Sequence, residues 1–251
     1  MHSERFERQV LMAEIGVSGQ SKLENSSVAV VGAGGLGYPI LAYLAAAGVG
    51  RLSVIDCDVV SRSNLNRQLF FTEQDLGASK SERAAEVLRR INPNAVVTPY
   101  VEALTELTAD EHLSGVDLVI DAVDNIAARH TISNWATKNG VPVLFGAVEG
   151  FKATFAHYEP RDAASSCYAC LFPGIPEPYS KAIPILGASA GVAGTFQAVR
   201  AVRLLIGERV PSDQLITLDL KRDKLRVIRT LPRATCGCMR VRTIARERRP
   251  A

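Results

Sequence analysis

Residues 28–67 read VAVVGAGGLGYPILAYLAAAGVGRLSVIDCDVVSRSNLNR, and the fold is decided within them. Val28 to Val31 is a short, largely β-branched run that suits a buried parallel strand. Gly32, Gly34 and Gly37 follow at G-x-G-x-x-G spacing, with Gly35 inside the turn. Ile40 to Ala47 is apolar and alanine-rich, which predicts a helix. Leu52 to Ile55 is a second apolar run, closed by Asp56. Strand, glycine turn, helix, strand and acid stand in the order of a nucleotide-binding βαβ unit. Glycines let phosphate approach the backbone, and a helix N-terminus favours negative charge. Asp56 lies about where such units place a ribose-binding acid. The alternative is a glycine turn that only packs a helix on a sheet. The fingerprint does not choose the nucleotide, and its most common meaning is NAD or FAD.

The chain around this unit has 251 residues, 47% hydrophobic and 22% charged, enough for one large α/β domain. No apolar run reaches the ~18 residues of a membrane span. The N-terminus, MHSERFER, is charged and lacks a signal-peptide core, so a cytoplasmic protein with reduced cysteines is expected. The net charge of +3 comes from the end of the chain: residues 239–251 hold five arginines and one glutamate. The body has no basic excess, so no nucleic-acid partner is expected. The organisation read here is one domain over 1–238 and a basic tail over 239–251.

Before the first strand, Phe6, Val10, Leu11 and Ile15 share a helical face that Gly16 stops, and a second short helix runs from Ser18 to Glu24. After Asp56, Asp58 either helps hold a metal near phosphate or simply ends the strand. Ser63 to Arg67 is a polar loop with an arginine beside the crevice, anchored by Phe70 and Phe71. Lys80 lies in the first turn of a helix expected from about Ala78 to Ile91, where a lysine opposes the helix dipole. Ala95 to Val101 and Val116 to Ile120 read as strands, and the second ends in D-A-V-D-N. Ligands in open α/β sheets gather at strand C-termini, which puts Asp121 and Asp124 on the edge of Gly32 and Asp56. Asp124 is read equally as a Mg²⁺ ligand or as the N-cap of a helix over Ile126 to Asn139. Pro142 to Ala147 and Ala153 to Tyr158 are strands, the second antiparallel.

Cys167 and Cys170 form C-x₂-C, and Cys236 and Cys238 form C-x-C. Two close cysteine pairs in a reducing compartment suggest a structural Zn²⁺ site, with free thiols as the alternative. The remaining Cys57 lies between two acids that disfavour its thiolate. Pro173 to Pro184 is proline-rich and crosses a substrate site or connects elements. Gly187 to Ile206 predicts a buried helix, and Leu215 to Leu220 with Lys224 to Arg229 a hairpin over the sheet. The four histidines form no metal or triad pair, and neither G-x-S-x-G nor a Walker A motif is present.

Taken together, the segments R-F-E-R-Q, G-A-G-G-L-G, D-C-D-V-V-S-R-S-N-L-N-R-Q, Lys80, D-A-V-D-N and C-Y-A-C-L-F-P resemble the ThiF/MoeB family of the ubiquitin-activating-enzyme superfamily. The resemblance runs from Arg5 to about Cys238. It implies a Rossmann-like nucleotide-binding sheet with N-terminal helices and a C-terminal antiparallel extension. It implies ATP rather than NAD, and a homodimer that adenylates the C-terminal glycine of a small ubiquitin-like sulfur carrier ending in Gly-Gly, with a sulfur-donor protein as a further partner. Gly32, Gly34, Gly35, Gly37 and Asp56 would hold adenosine and ribose. Ser63, Asn64, Arg67 and Lys80 would lie at the phosphates. Asp124 would hold Mg²⁺ with Asn125 beside it, and Arg8 would reach the neighbouring subunit's site. Other carboxylates, on a peptide or a tRNA, would suit the same ATP site. A nicotinamide-dependent oxidoreductase leaves Arg67, Lys80 and Asp124 without a task, and a non-enzymatic scaffold would not keep the cations. Two departures stand out: no cysteine lies between Gly174 and Gly191, where many relatives carry one, and C-x-C replaces the usual second C-x₂-C.

Overall fold

The computed structural model describes residues 4–175 and 183–239. The tail from residue 240 on, and residues 176–182 of the proline-rich stretch, lie outside the described residues. One eight-stranded sheet organises the chain. Its strands are β1 (Ser27–Val31), β2 (Arg51–Ile55), β3 (Val96–Tyr100), β4 (Leu118–Asp121), β5 (Val143–Glu149), β6 (Lys152–Tyr158), β7 (Gln214–Asp219) and β8 (Lys224–Arg229). Their spatial order is β3-β2-β1-β4-β5-β6-β7-β8. The first five pair in parallel, and β6, β7 and β8 continue the sheet antiparallel. Chain order reverses between β1 and β4, the switch point at which doubly wound sheets open a crevice.

Alternation along the strands divides the core. Val28, Val30, Leu52, Val54, Leu118 and Ile120 face one side, under α3 (Gly37–Ala47), α4 (Lys80–Ile91) and α8 (Gly187–Leu205). Ala29, Val31, Ile55, Val119 and Phe145 face the other, with α5 (Ala109–Leu113), α6 (Ile126–Asn139) and α7 (Tyr168–Leu171). Period-two alternation in buried strands requires apolar residues on both faces, hence the continuous apolar runs.

Three expectations differ from the structure. The first helix, α1 (Glu7–Val10), ends before Gly16, and Gly16 instead begins α2 (Gly16–Asn25). Only Phe6 of the proposed face is buried, while Leu11 is 73% exposed. Gln9 faces inward instead: its Nε2 donates to Gln20 Oε1 at 2.8 Å and to Ala47 O at 3.0 Å. The hairpin β7–β8 extends the sheet edge rather than lying over it, and every residue of β8 is exposed. The helix predicted over Gly187 to Ile206 is buried on one face only, with Val192 and Val199 exposed.

Candidate nucleotide site and four-cysteine centre

Register places the candidate residues. Val31 pairs with Ile55 on one side and Asp121 on the other, so the segments opening with Gly32, Asp56 and Ala122 leave the sheet at one edge. Gly32 has φ +99°, and a Cβ there would lie 2.6 Å from Ala122 O. At Gly37 a Cβ would fall 1.9 Å from Gly32 O, so the turn into α3 admits no side chain. Gly34 and Gly35 make room for a different neighbour. Cβ positions there meet Gln68 Nε2 at 3.4 Å and Arg67 Cγ at 3.3 Å. The S-R-S-N-L-N-R-Q segment thus folds onto the glycine turn. Within it Ser61 and Asn64 form a capping box around a 3₁₀ turn over Arg62–Asn64, and Ser63 Oγ lies 3.0 Å from Ser61 Oγ. Arg67 Nη1 donates to Ser63 O at 2.7 Å and Asn66 Oδ1 at 3.1 Å, which ties the guanidinium to its own loop, while Arg67 Cγ and the Arg67 carbonyl lie against Gly35.

Asp56 is buried and accepts from Ala33 N at 2.7 Å and Asp58 N at 2.8 Å. Burial pushes its pKa up, against the two N–H groups and Lys80. Lys80 is also buried; Ser79 caps its helix, and its Nζ lies 2.7 Å from Asp58 Oδ2. Asp58 is therefore the counter-ion of Lys80.

The D-A-V-D-N loop decides a question that spacing left open. Asn125, not Asp124, caps α6, its Oδ1 accepting from Ala128 N at 2.8 Å. Asp124 is exposed and, among the described residues, has no ion-pair partner. Asp121 is fully buried and paired with Arg129, Nη1 to Oδ2 at 3.1 Å. Burial outweighs that guanidinium and pushes Asp121 up to about 6. Arg129 was not among the residues picked out by motif. Neither was Gln68, whose Oε1 is buried with no hydrogen-bond partner against the glycine turn. For Gln68 the signal was its place inside the quoted motif; for Arg129 there was none.

Arg8 stands apart from the rest. It is exposed on α1, next to Gln9, which bonds Ala47 at the C-terminal end of α3. The glycine turn enters the other end, and 11 residues of helix span about 16 Å. Within one chain Arg8 and the crevice are thus separated.

On the far side of α6 the two cysteine pairs meet. The four Sγ atoms lie within 4.8 Å of one another, with Cys167 to Cys236 at 3.5 Å and Cys170 to Cys238 at 3.7 Å. Zn–S bonds of ~2.3 Å in a tetrahedron put sulfurs about 3.8 Å apart, so C-x-C completes a four-ligand set without strain on the spacing. Bonding to Cys238, then burial, pushes Cys167 up, and burial pushes Cys170 up to about 11. Thiols this hard to ionise are what a dication stabilises as thiolates. Cys57 is outside the group and exposed; partial desolvation, then Asp58 and Asp56, push its pKa up.

A mixed sheet with a glycine turn at its parallel switch point, an arginine-bearing loop folded onto that turn and a four-cysteine group able to hold a metal define an α/β fold of the nucleotide-binding type. The chain belongs to the ThiF family, whose profile matches residues 6–239. It is 40% identical over 211 residues to the SAMP-activating enzyme E1 of Haloferax volcanii, covering 82% of this chain and 76% of that one. It is 38% identical over 247 residues to the sulfur carrier protein adenylyltransferase of Thermus thermophilus, covering 93% and 90%. The adenylyltransferase and sulfurtransferase MOCS3 of Arabidopsis thaliana is 40% identical over 244 residues, but the match spans only 52% of its length. Among solved structures, Escherichia coli MccB with ATP superposes with TM-score 0.82 at 22% identity, covering 94% of this chain and 74% of that one, which supports the fold. The relatives bear the adenylyltransferase name, and this chain is an enzyme of that class. No helix among the described residues is long and apolar enough to cross a membrane.

Proposed function

We propose that this protein uses ATP and Mg²⁺ to adenylate the C-terminal glycine carboxylate of a small ubiquitin-like sulfur carrier ending in Gly-Gly, releasing pyrophosphate. The observation that supports the reading is the packing of the Arg67 loop and the Ala122–Val123 backbone against one glycine turn at the sheet's switch point, with Asp56 bonded to Ala33 in that turn and to Asp58, the partner of Lys80. The relatives named for sulfur carriers supply the substrate class.

The chemistry needs little beyond these groups. A terminal carboxyl has a pKa of about 3.5, so at neutral pH it is already the nucleophile and needs no general base. The obstacle is an anion approaching a polyanion, with charge growing on the leaving phosphates. Arg67, held to Ser63 with its stem against Gly35, and Lys80, paired with Asp58, would supply positive charge there. Asp56 holds the turn through Ala33 and leaves acceptor capacity for ribose. Asp124, unpaired among the described residues and exposed, would hold Mg²⁺, which compensates phosphate charge when bound. Ser63, Asn64 and Asn125 line the same edge. Arg8 acts on a second copy's site, so the working unit is a homodimer, and the site is complete only in it. The adenylating domain is residues 1–238, the setting is cytoplasmic, and the four cysteines hold a structural Zn²⁺. With those four thiols committed and Cys57 resistant to ionisation, the protein stops at the acyl-adenylate and another protein transfers sulfur.

Arg67→Ala and Lys80→Ala are each expected to abolish ATP–pyrophosphate exchange in folded protein. Arg8→Ala is expected to cost about 10³-fold, by analogy with arginine fingers. Near-normal exchange in folded Arg67→Ala or Lys80→Ala contradicts the assignment, and a carrier–enzyme thioester contradicts the stop at the adenylate.

A further inference from the structure

Arg129 belongs to neither the glycine turn nor the cysteine centre, yet it bonds the 121–123 segment that packs on the first and meets a ring that sits between the cysteines of the second. Its guanidinium is buried at the C-terminal edge of the sheet. Nη1 meets Asp121 Oδ2 at 3.1 Å, while Nη2 donates to Val123 O at 2.5 Å and to Gly146 O at 3.0 Å. Asp121 Oδ1 accepts the Val123 N–H at 3.1 Å. Val123 is therefore tied through both its N–H and its carbonyl. Two residues on, Asn125 is tied to Ala128. Asp124 is the exposed residue between two anchored ones.

A residue serving only to neutralise buried Asp121 would need one contact. Arg129 makes three, and a planar guanidinium with five donors is the side chain able to do so. Its remaining face is covered. The Tyr168 ring lies 5.8 Å from the guanidinium carbon, braced by Phe145, Phe172 and His130 at centroid distances of 5.6, 5.1 and 5.1 Å. Tyr168 follows Cys167 directly and precedes Cys170 by two residues, and its N–H donates to Ser133 Oγ at 3.2 Å. The ring's position is thus set by the cysteine knuckle and by α6 together.

We infer that Arg129 is a positioning residue that couples the four-cysteine centre to Asp124. Tyr168, held by the knuckle, fixes the guanidinium, and the guanidinium fixes the Val123 carbonyl and so the place of the neighbouring carboxylate. The inference rests on Asp124 as the Mg²⁺-holding residue.

The test uses the full chain with its cysteine-bound metal, comparing wild type with Arg129→Lys and Tyr168→Leu. Lysine keeps the charge beside Asp121 but cannot span three acceptors; leucine leaves the ion pair and removes only the ring. Three quantities are read: cysteine-bound metal, amide exchange of 121–125, and half-saturating Mg²⁺ for ATP binding by calorimetry. Both variants should retain their metal. In Arg129→Lys, exchange protection should fall and half-saturating Mg²⁺ rise by about tenfold, as expected for the loss of a group supporting a metal ligand. In Tyr168→Leu both should move about threefold, the scale of a cation–π contact. Tyr168→Leu with metal retained and with wild-type protection and Mg²⁺ dependence overturns the coupling, and decides the matter if Arg129→Lys does not fold. If wild-type ATP binding ignores Mg²⁺, the Asp124 reading fails, while loss of 121–125 protection in Tyr168→Leu still registers the coupling.

Discussion

Two strands of the sheet end in an aspartate that bonds its own backbone two residues on. Asp56, after β2, accepts from Asp58 N at 2.8 Å, and Asp121, closing β4, accepts from Val123 N at 3.1 Å. The turns are alike and their second carboxylate oxygens are not. Asp56 spends its on Ala33 N in the glycine turn, Asp121 on the Arg129 guanidinium. Each turn then presents a further acid. Asp58 is bound to Lys80 at 2.7 Å, whereas Asp124 is exposed and unpaired among the described residues. One turn thereby holds a cation of the protein, and the other is open to a cation from outside. A motif of acids says little about metal binding until it is known which acid is already neutralised.

The most disruptive change removes the glycine turn lying between the two acids. In Gly37→Ala the new methyl would sit 1.9 Å from Gly32 O, and both are backbone, so nothing flexible can yield. A loss above about 4 kcal/mol, and little folded protein on chemical denaturation, is expected. Next comes the contrast itself. Asp124→Asn should lower Mg²⁺-dependent exchange by about 10²-fold or more, while Asp58→Asn, whose carboxylate is spent on Lys80, should lower it less than about tenfold. Equal losses would break the comparison. Both strand-end acids are pushed up by burial. Asp121 is raised to about 6 from an ordinary carboxylate value of 3.8, so between those values the folded state holds a proton that the unfolded state has lost. This group's stabilisation is present below pH 4 and disappears as pH rises through 6, by about 3 kcal/mol at most. Denaturation midpoints over that window should fall more steeply with rising pH in wild type than in Asp121→Asn, the difference being this group's contribution. The smallest effect is Asn125→Ala, which removes the α6 cap at a cost of about 1 kcal/mol, measured by urea unfolding.

What sequence reveals follows from how local each interaction is. The glycine turn was legible because its constraint, backbone against backbone, excludes side chains at fixed spacing. Helix α6 was legible to the residue because Asn125 and Gly140 close its ends. The cysteine pairs were legible as pairs, but whether C-x-C would close a tetrahedron depended on chain 69 residues away. Asp124 read equally as a Mg²⁺ ligand or as the cap of α6, and the structure gives the cap to Asn125, whose Oδ1 accepts from Ala128 N. The Arg129 clamp was not legible, since it joins Gly146, 17 residues on, and a ring from the knuckle through no motif. At the N-terminus, apolar spacing suggested one helical face from Phe6 to Ile15, whereas α1 ends at Val10 and the inward contact is made by the polar Gln9.

The central claim is that the crevice at the sheet's switch point activates a carrier's terminal glycine with ATP. ATP–pyrophosphate exchange with Mg²⁺, with and without small host proteins ending in Gly-Gly, tests it most directly. Exchange that depends on one such protein and vanishes in Arg67→Ala is the predicted result. A folded protein that binds ATP yet exchanges with no carrier would contradict it and point to a carboxylate of another kind.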